Sequence, residues 1–127
     1  VEELMKVRFH REIGPEGQGM QGAQDLIMEQ EYHVLELTIS CESTYLRLLV
    51  GPNSMGESYS ALYPSWGFVT TSDSISLNWR IKINDESLIL IGPESWMADG
   101  FWERYYDGEP KARKIFEIEL NKILDGQ

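Results

Sequence analysis

The stretch Ser74 to Ile83, SISLNWRIKI, is the one whose reading decides the fold class. Ile75, Leu77, Trp79, Ile81 and Ile83 are apolar, and Ser74, Ser76, Asn78, Arg80 and Lys82 between them are polar, a period of two. Successive side chains of a β-strand leave on opposite faces, so this alternation predicts a strand with one face in a core and the other in water. Asn84, Asp85 and Glu86 then supply turn chemistry before the apolar run Leu88 to Ile91, which predicts a hairpin. On this reading the row from Ile75 to Ile83 is core, and Arg80 and Lys82 make the outer face locally basic.

Working outward, the same period recurs. Met5, Val7 and Phe9 alternate with Lys6, Arg8 and His10 and predict a short first strand over Leu4 to Phe9. Leu35, Leu37, Ile39 and Cys41 alternate with Glu36, Thr38 and Ser40, so a second strand is expected over Tyr32 to Cys41, with Cys41 as a small buried residue at the end of the apolar row. Glu42 and Ser43 turn the chain into a strand over Thr44 to Val50, which Gly51, Pro52 and Asn53 stop. Tyr59 to Tyr63 and Trp66 to Thr71 read as shorter strands. Pro64 between them marks an edge or a break, because proline cannot donate to a ladder.

Three segments depart from this pattern. Gly14 to Gly22 holds four glycines and a proline and predicts a mobile loop, while Ala23 to Glu31 fits a short helix or a strand. Glu94 to Gly108 is rich in aromatic residues and ambiguous in secondary structure. From Pro110 onward, Ala112, Ile115, Phe116, Leu120, Ile123 and Leu124 recur mostly at three- and four-residue spacings, which predicts an amphipathic helix stopped by Gly126. A competing alternation of Phe116, Ile118 and Leu120 would make a strand instead. Strands do not alternate with helices, so the expected fold is α+β: a mainly antiparallel β-sheet, either curved or closed as a small sandwich or barrel, covered by a carboxy-terminal helix. A length of 127 residues makes one domain over 1–127 the default.

Composition narrows the function classes. A net charge of -10, from 21 acidic and 11 basic residues, excludes the basic footprint that nucleic-acid binding needs and disfavours an anionic membrane. The same charge would steer a basic protein toward the chain. The lone Cys41 excludes an intrachain disulfide and points to a reducing, cytoplasmic compartment, and no apolar run reaches the roughly 20 residues of a membrane-spanning helix.

Catalytic and cofactor motifs are not assembled. Gly17, Gly19 and Gly22 spell a literal G-x-G-x-x-G, but Pro15 and Glu16 separate it from the first strand and no βαβ unit surrounds it, so a loop is expected and no cofactor is assigned. His33 and Glu36 would point to opposite faces of a strand, and two scattered histidines with one cysteine are poor raw material for a metal site. Cys41 as a nucleophile would need His10 or His33 as an adjacent base, and nothing in the spacing brings them together.

The segment Trp96 to Glu109 remains. Trp and Tyr with Arg dominate protein interface hot spots, so Trp96, Asp99, Trp102, Glu103, Arg104, Tyr105, Tyr106, Asp107 and Glu109 form the candidate partner-binding surface, although several of these rings are needed for the core. In size, acidity, lone cysteine and α+β pattern the chain is similar to small bacterial immunity proteins. That similarity carries over no residue and implies only a class. The expected function is therefore a non-enzymatic protein-binding module, an immunity-type inhibitor that occludes a basic site on a toxin or other protein. The alternatives are a binder of a small apolar ligand in an aromatic cavity, and an enzyme whose site is gathered from distant residues.

Overall fold

A computed structural model describes residues 4–84 and 86–125. Asp85, expected in the hairpin turn, and Gly126, expected as the helix stop, lie outside them. Among the described residues the strands are β1 (Lys6–Phe9), β2 (Glu31–Ile39), β3 (Thr44–Val50), β4 (Tyr59–Pro64), β5 (Phe68–Ser72), β6 (Trp79–Ile83) and β7 (Ile89–Pro93). They form one open, curved sheet in which every pairing is antiparallel. The order β4-β3-β2-β1-β5 is joined by β7, which pairs with β2, and by β6, which pairs with β7.

The long strand β2 organises this arrangement. Its residues Glu31 to His33 pair with β1, while Leu37 to Ile39 pair with β7, so two strands follow one another beside it and the sheet forks. A β-bulge makes the change of direction: Val34 lies opposite Leu48 and Glu36 opposite Arg47, which leaves Leu35 without a partner in β3. One extra residue reverses the alternation. Val34 and Leu37, three residues apart, consequently pack on the same core while Leu35 enters the other, and Val34 and Leu35 are fully buried. The expected single inward row Leu35, Leu37, Ile39 and Cys41 is thus divided between two faces. Cys41 itself is exposed. The strand ends before it because Ser40 and Ser43 close a turn, with the Ser43 N–H donating to Ser40 Oγ at 3.1 Å and the Ser40 N–H to the Ser43 carbonyl at 2.9 Å.

Each face of the sheet carries a core. On one, Val7, Phe9, Val34, Leu46, Leu48, Val50 and Tyr63 pack beneath Met20 and Leu26 of the chain between β1 and β2. On the other, Leu4 and Leu35 meet Trp96, Phe101, Tyr105, Ala112, Phe116 and Ile123. Two helices supply this second layer, α1 (Phe101–Tyr106) and α2 (Pro110–Leu124). Ala112, Phe116 and Ile123 of α2 are buried while Ile118 is exposed, so the helical period prevails over the competing alternation. Neither helix is long and apolar enough to cross a membrane.

The hairpin of β6 and β7 forms as expected, with Ile81 opposite Ile91 and Ile83 opposite Ile89. The expected strand from Ser74 is cut short. The Ser76 hydroxyl accepts from the Asn78 N–H at 3.2 Å and the Ser76 carbonyl from the Trp79 N–H at 3.1 Å, so residues 76–79 make a turn. Of the apolar row only Trp79 enters a core. Leu77 is 90% exposed, Ile81 69% and Ile83 67%, because β6 is an outer strand that extends past the residues packed over the sheet.

Two further segments resolve differently from expectation. Ala23 to Gln30 is neither helix nor strand but a 3-10 turn, Ala23–Asp25, followed by a second turn at Met28 and Glu29, and Glu31 already begins β2. The glycine-rich loop is a tight hairpin, closed by main-chain bonds from Gly14 to Gln18, Gly17 to Gly14 and Met20 to Glu12. Gly17 takes a φ of 82°, a left-handed conformation that favours glycine.

Candidate functional site

The aromatic segment is built mainly as core. Gly100, at a φ of 74°, opens α1, and Gly108, at 79°, closes it; the Gly108 N–H bonds the Tyr105 carbonyl and the Glu109 N–H the Arg104 carbonyl. Between these stops the helix turns Phe101 and Tyr105 inward beside Trp96, and all three are about as buried as side chains can be, at 1% exposure each. Trp96 stacks on Phe116 at 5.2 Å, and Trp102 meets Trp96, Phe101, Tyr105 and Phe116 edge-on. Of the nine residues singled out from the sequence, Trp96 and Tyr105 therefore have no surface to offer. Trp102, Arg104 and Glu109 are half-buried, and Asp99, Glu103, Tyr106 and Asp107 are exposed.

Beneath α1 lies a buried polar network that the sequence did not announce. Arg47 donates from Nε to Glu36 Oε1 at 3.0 Å and from Nη1 to the Tyr106 hydroxyl at 2.9 Å. Its guanidinium carbon sits 3.6 Å from the centre of the Trp102 ring, a cation–π contact inside the fold. The Trp102 indole also hydrogen-bonds Glu36, whose carboxyl burial nevertheless pushes above the ordinary glutamate range. The hydroxyl of Tyr106 donates onward to the Ser60 carbonyl at 2.8 Å, and the Ser60 N–H donates to the Tyr105 hydroxyl at 3.3 Å. Two tyrosines of α1 thereby satisfy both main-chain groups of Ser60 on β4, the outer strand of the sheet. Gly92 makes room for the ion pair, since a Cβ there would lie 2.9 Å from Glu36 Cγ.

Strand β4 has a second use. Along it and the glycine-rich hairpin runs a cleft of about 710 Å³, lined by Tyr45, Tyr59, Tyr63 and Trp66 with Met20, Leu62 and the backbone of Gly19 and Gly22. Asp25 and Glu42 are the charged residues among its described lining, which contains no Lys, Arg or His. Tyr59 hydrogen-bonds Asp25; burial, followed by that bond and the Asp25 charge, pushes its phenol up to about 12. Burial raises Tyr63 as well. Both phenols are thus neutral donors at physiological pH. Arg11 stacks against Trp66 at 5.9 Å but stands outside the cleft lining.

The cleft joins three segments far apart in sequence: the 3-10 turn with Asp25, the β2–β3 turn with Glu42, and β4. Strand alternation indicates that Tyr59, Ala61 and Tyr63 share a face, but only the register of β3 against β4 and the fold-back of residues 10–30 bring the carboxylates to them. The earlier chemical candidates are dispersed over other elements. His10 stands beside Glu29 at 3.6 Å, His33 lies on β2 opposite Lys6, and Cys41 is in the β2–β3 turn. Among the described residues no three His, Cys, Asp or Glu side chains gather as a metal site. The G-x-G-x-x-G run opens the three-residue turn Ala23–Asp25 and no longer helix.

Compared with known proteins, the chain matches no family model, no curated protein and no solved structure.

Proposed function

We propose that this chain is a non-enzymatic, cytoplasmic protein-binding module that takes a basic partner at β4, as an immunity-type inhibitor of a toxin domain would. The observation that carries this reading is the cleft beneath the glycine-rich hairpin. The accessible rings of Tyr45, Tyr59 and Trp66, two carboxylates and no lining cation among the described residues suit the cationic, partly apolar side chain of a Lys or Arg. Around α1, which packs on the other face of the sheet, Glu103 and the flanking Asp99 and Asp107 are exposed and add to the acidity of the chain. The net charge of -10 would accelerate encounter, and the rings would slow dissociation. Inhibition would follow from steric cover of the partner's basic site.

The test uses the whole chain, immobilised, and the partner it retains from its host. Association should slow steeply with added salt, and Asp25→Asn with Glu42→Gln should weaken binding by about tenfold or more. A partner that is acidic, or a basic one whose binding ignores both salt and these two carboxylates, sinks the reading.

A second reading rests on the size of the same cleft, which falls within the range of small-molecule sites. A small organic cation with an apolar body would fill it. A rise in melting temperature with such a compound, abolished by Tyr59→Ala, separates this from protein binding.

A further inference from the structure

Strand β6 is open on one side. Among the described residues it pairs only with β7. The Asn84 N–H bonds the Leu88 carbonyl at 3.0 Å, which makes Asn84 and Leu88 a hydrogen-bonded pair of the ladder. Such pairs alternate, so Lys82 with Leu90 and Arg80 with Gly92 belong to the same class, and Ile81 and Ile83 turn their N–H and C=O groups to the open edge. The side chains of those two isoleucines are exposed on one face, next to Ile91 and Ile89. Arg80 and Lys82 project from the other face, beside a recess of about 540 Å³ that Ile81, Glu94, Met97 and Ala98 also line, and Arg80 Nη1 donates to the carbonyls of Leu77 at 3.3 Å and Trp79 at 3.1 Å.

An edge of this kind is a template for another strand. A second copy of the chain fits it poorly. Any antiparallel pairing that aligns the two isoleucine rows sets the Arg80 and Lys82 row of one copy against the same row of the other, and like charges directly opposite are destabilising. A segment with carboxylates at alternate positions reverses that sign. We propose that β6 is a docking edge for an extended segment of a partner protein in which acidic and apolar residues alternate. Its apolar side chains would lie beside Ile81 and Ile83, its carboxylates would reach Arg80 and Lys82, and its main chain would bond Ile81 and Ile83. Glu94 lines the same recess as the two cations, so the match is to one or two spaced carboxylates and not to an acidic run. This edge is on different strands from the cleft, and the inference does not rest on the function proposed there.

The experiment titrates the whole chain with a fluorescent peptide of about eight residues alternating Val and Glu. Two control peptides carry the same residues in blocks, or Lys in place of Glu. Amide hydrogen exchange is followed in parallel. The alternating acidic peptide should bind, slow exchange at Ile81 and Ile83, and lose about tenfold in affinity with Lys82→Glu at an exposed position. Ile81→Pro removes an outward N–H without touching the ladder to β7 and should abolish binding. The inference is overturned if the peptide does not bind, if either control binds equally well, or if the amides of Ile81 and Ile83 stay unprotected in the complex. Dimerisation that protects the same two amides without peptide would assign the edge to a second copy and overturn it too.

Discussion

Arg47 lies with its guanidinium 3.6 Å from the centre of the Trp102 ring while the same group holds Glu36 through Nε at 3.0 Å. One cation from β3 thus pairs with β2 by charge and ties the sheet to α1 twice, by its flat face on Trp102 and by its bond to the Tyr106 hydroxyl. Removing it leaves Glu36 as a buried carboxylate without its counter-ion. Arg47→Met should therefore cost about 3–5 kcal/mol in urea unfolding. The double variant Glu36→Met with Arg47→Met should cost less than the sum of the single substitutions, since the two groups touch.

The acidity of Glu36 gives that pair a pH signature. Burial raises its carboxyl above the ordinary range, and the Arg47 charge with the bonds from Arg47 and Trp102 offsets this only in part. The folded state then holds the proton more tightly than the unfolded state, in which a glutamate titrates at about 4.3. Stability from this group is present below that pH and falls as pH rises through the raised folded value. Glu36→Gln should flatten this fall in a series of unfolding curves, and an unchanged slope would contradict the assignment.

Tyr106 tests the link between α1 and the outer strand. Its hydroxyl accepts from Arg47 at 2.9 Å and donates to the Ser60 carbonyl at 2.8 Å. Tyr106→Phe keeps the ring and orphans both partners, so a loss of about 1–3 kcal/mol is expected. Faster amide exchange along β4 than along β2 in this variant would locate the loss at the edge.

The tyrosines of the cleft should titrate late. Tyr59, raised to about 12, stays neutral when folded at pH values where an unfolded tyrosine, at about 10, ionises. Its contribution to stability is present below the unfolded value and is lost as pH climbs between the two. Asp25→Asn removes the charge and weakens the hydrogen bond, since the amide oxygen still accepts, but leaves the burial, so tyrosinate absorbance should appear at lower pH in the variant, yet still later than for a free phenol.

The exposed isoleucines separate the two readings of SISLNWRIKI. If the row were core, truncating any member would be costly. With Ile81 and Ile83 in solvent and Trp79 in the core, Ile81→Thr and Ile83→Thr should each change stability by less than about 0.5 kcal/mol. Trp79→Ala should cost about 3–5 kcal/mol.

The sequence by itself determined which segments are strands and which is the long helix. Side-chain period is a local property: two residues per repeat in β1 and in β6, and three to four in α2, follow from backbone geometry whatever the segment packs against. The residues Gly51, Pro52 and Asn53 that stop β3 likewise carry their own conformational preferences. Tertiary structure decided which face of each element is covered, because burial depends on what lies opposite. The bulge at Leu35 exchanged the faces of β2, the position of β6 outside the core left Ile81 and Ile83 in water, and the depth of α1 took Trp96 and Tyr105 from surface to core. The same holds for the sites. Asp25, Glu42 and Tyr59 meet only when residues 10–30 fold across the sheet, and Glu36 finds Arg47 only through the register of β2 against β3.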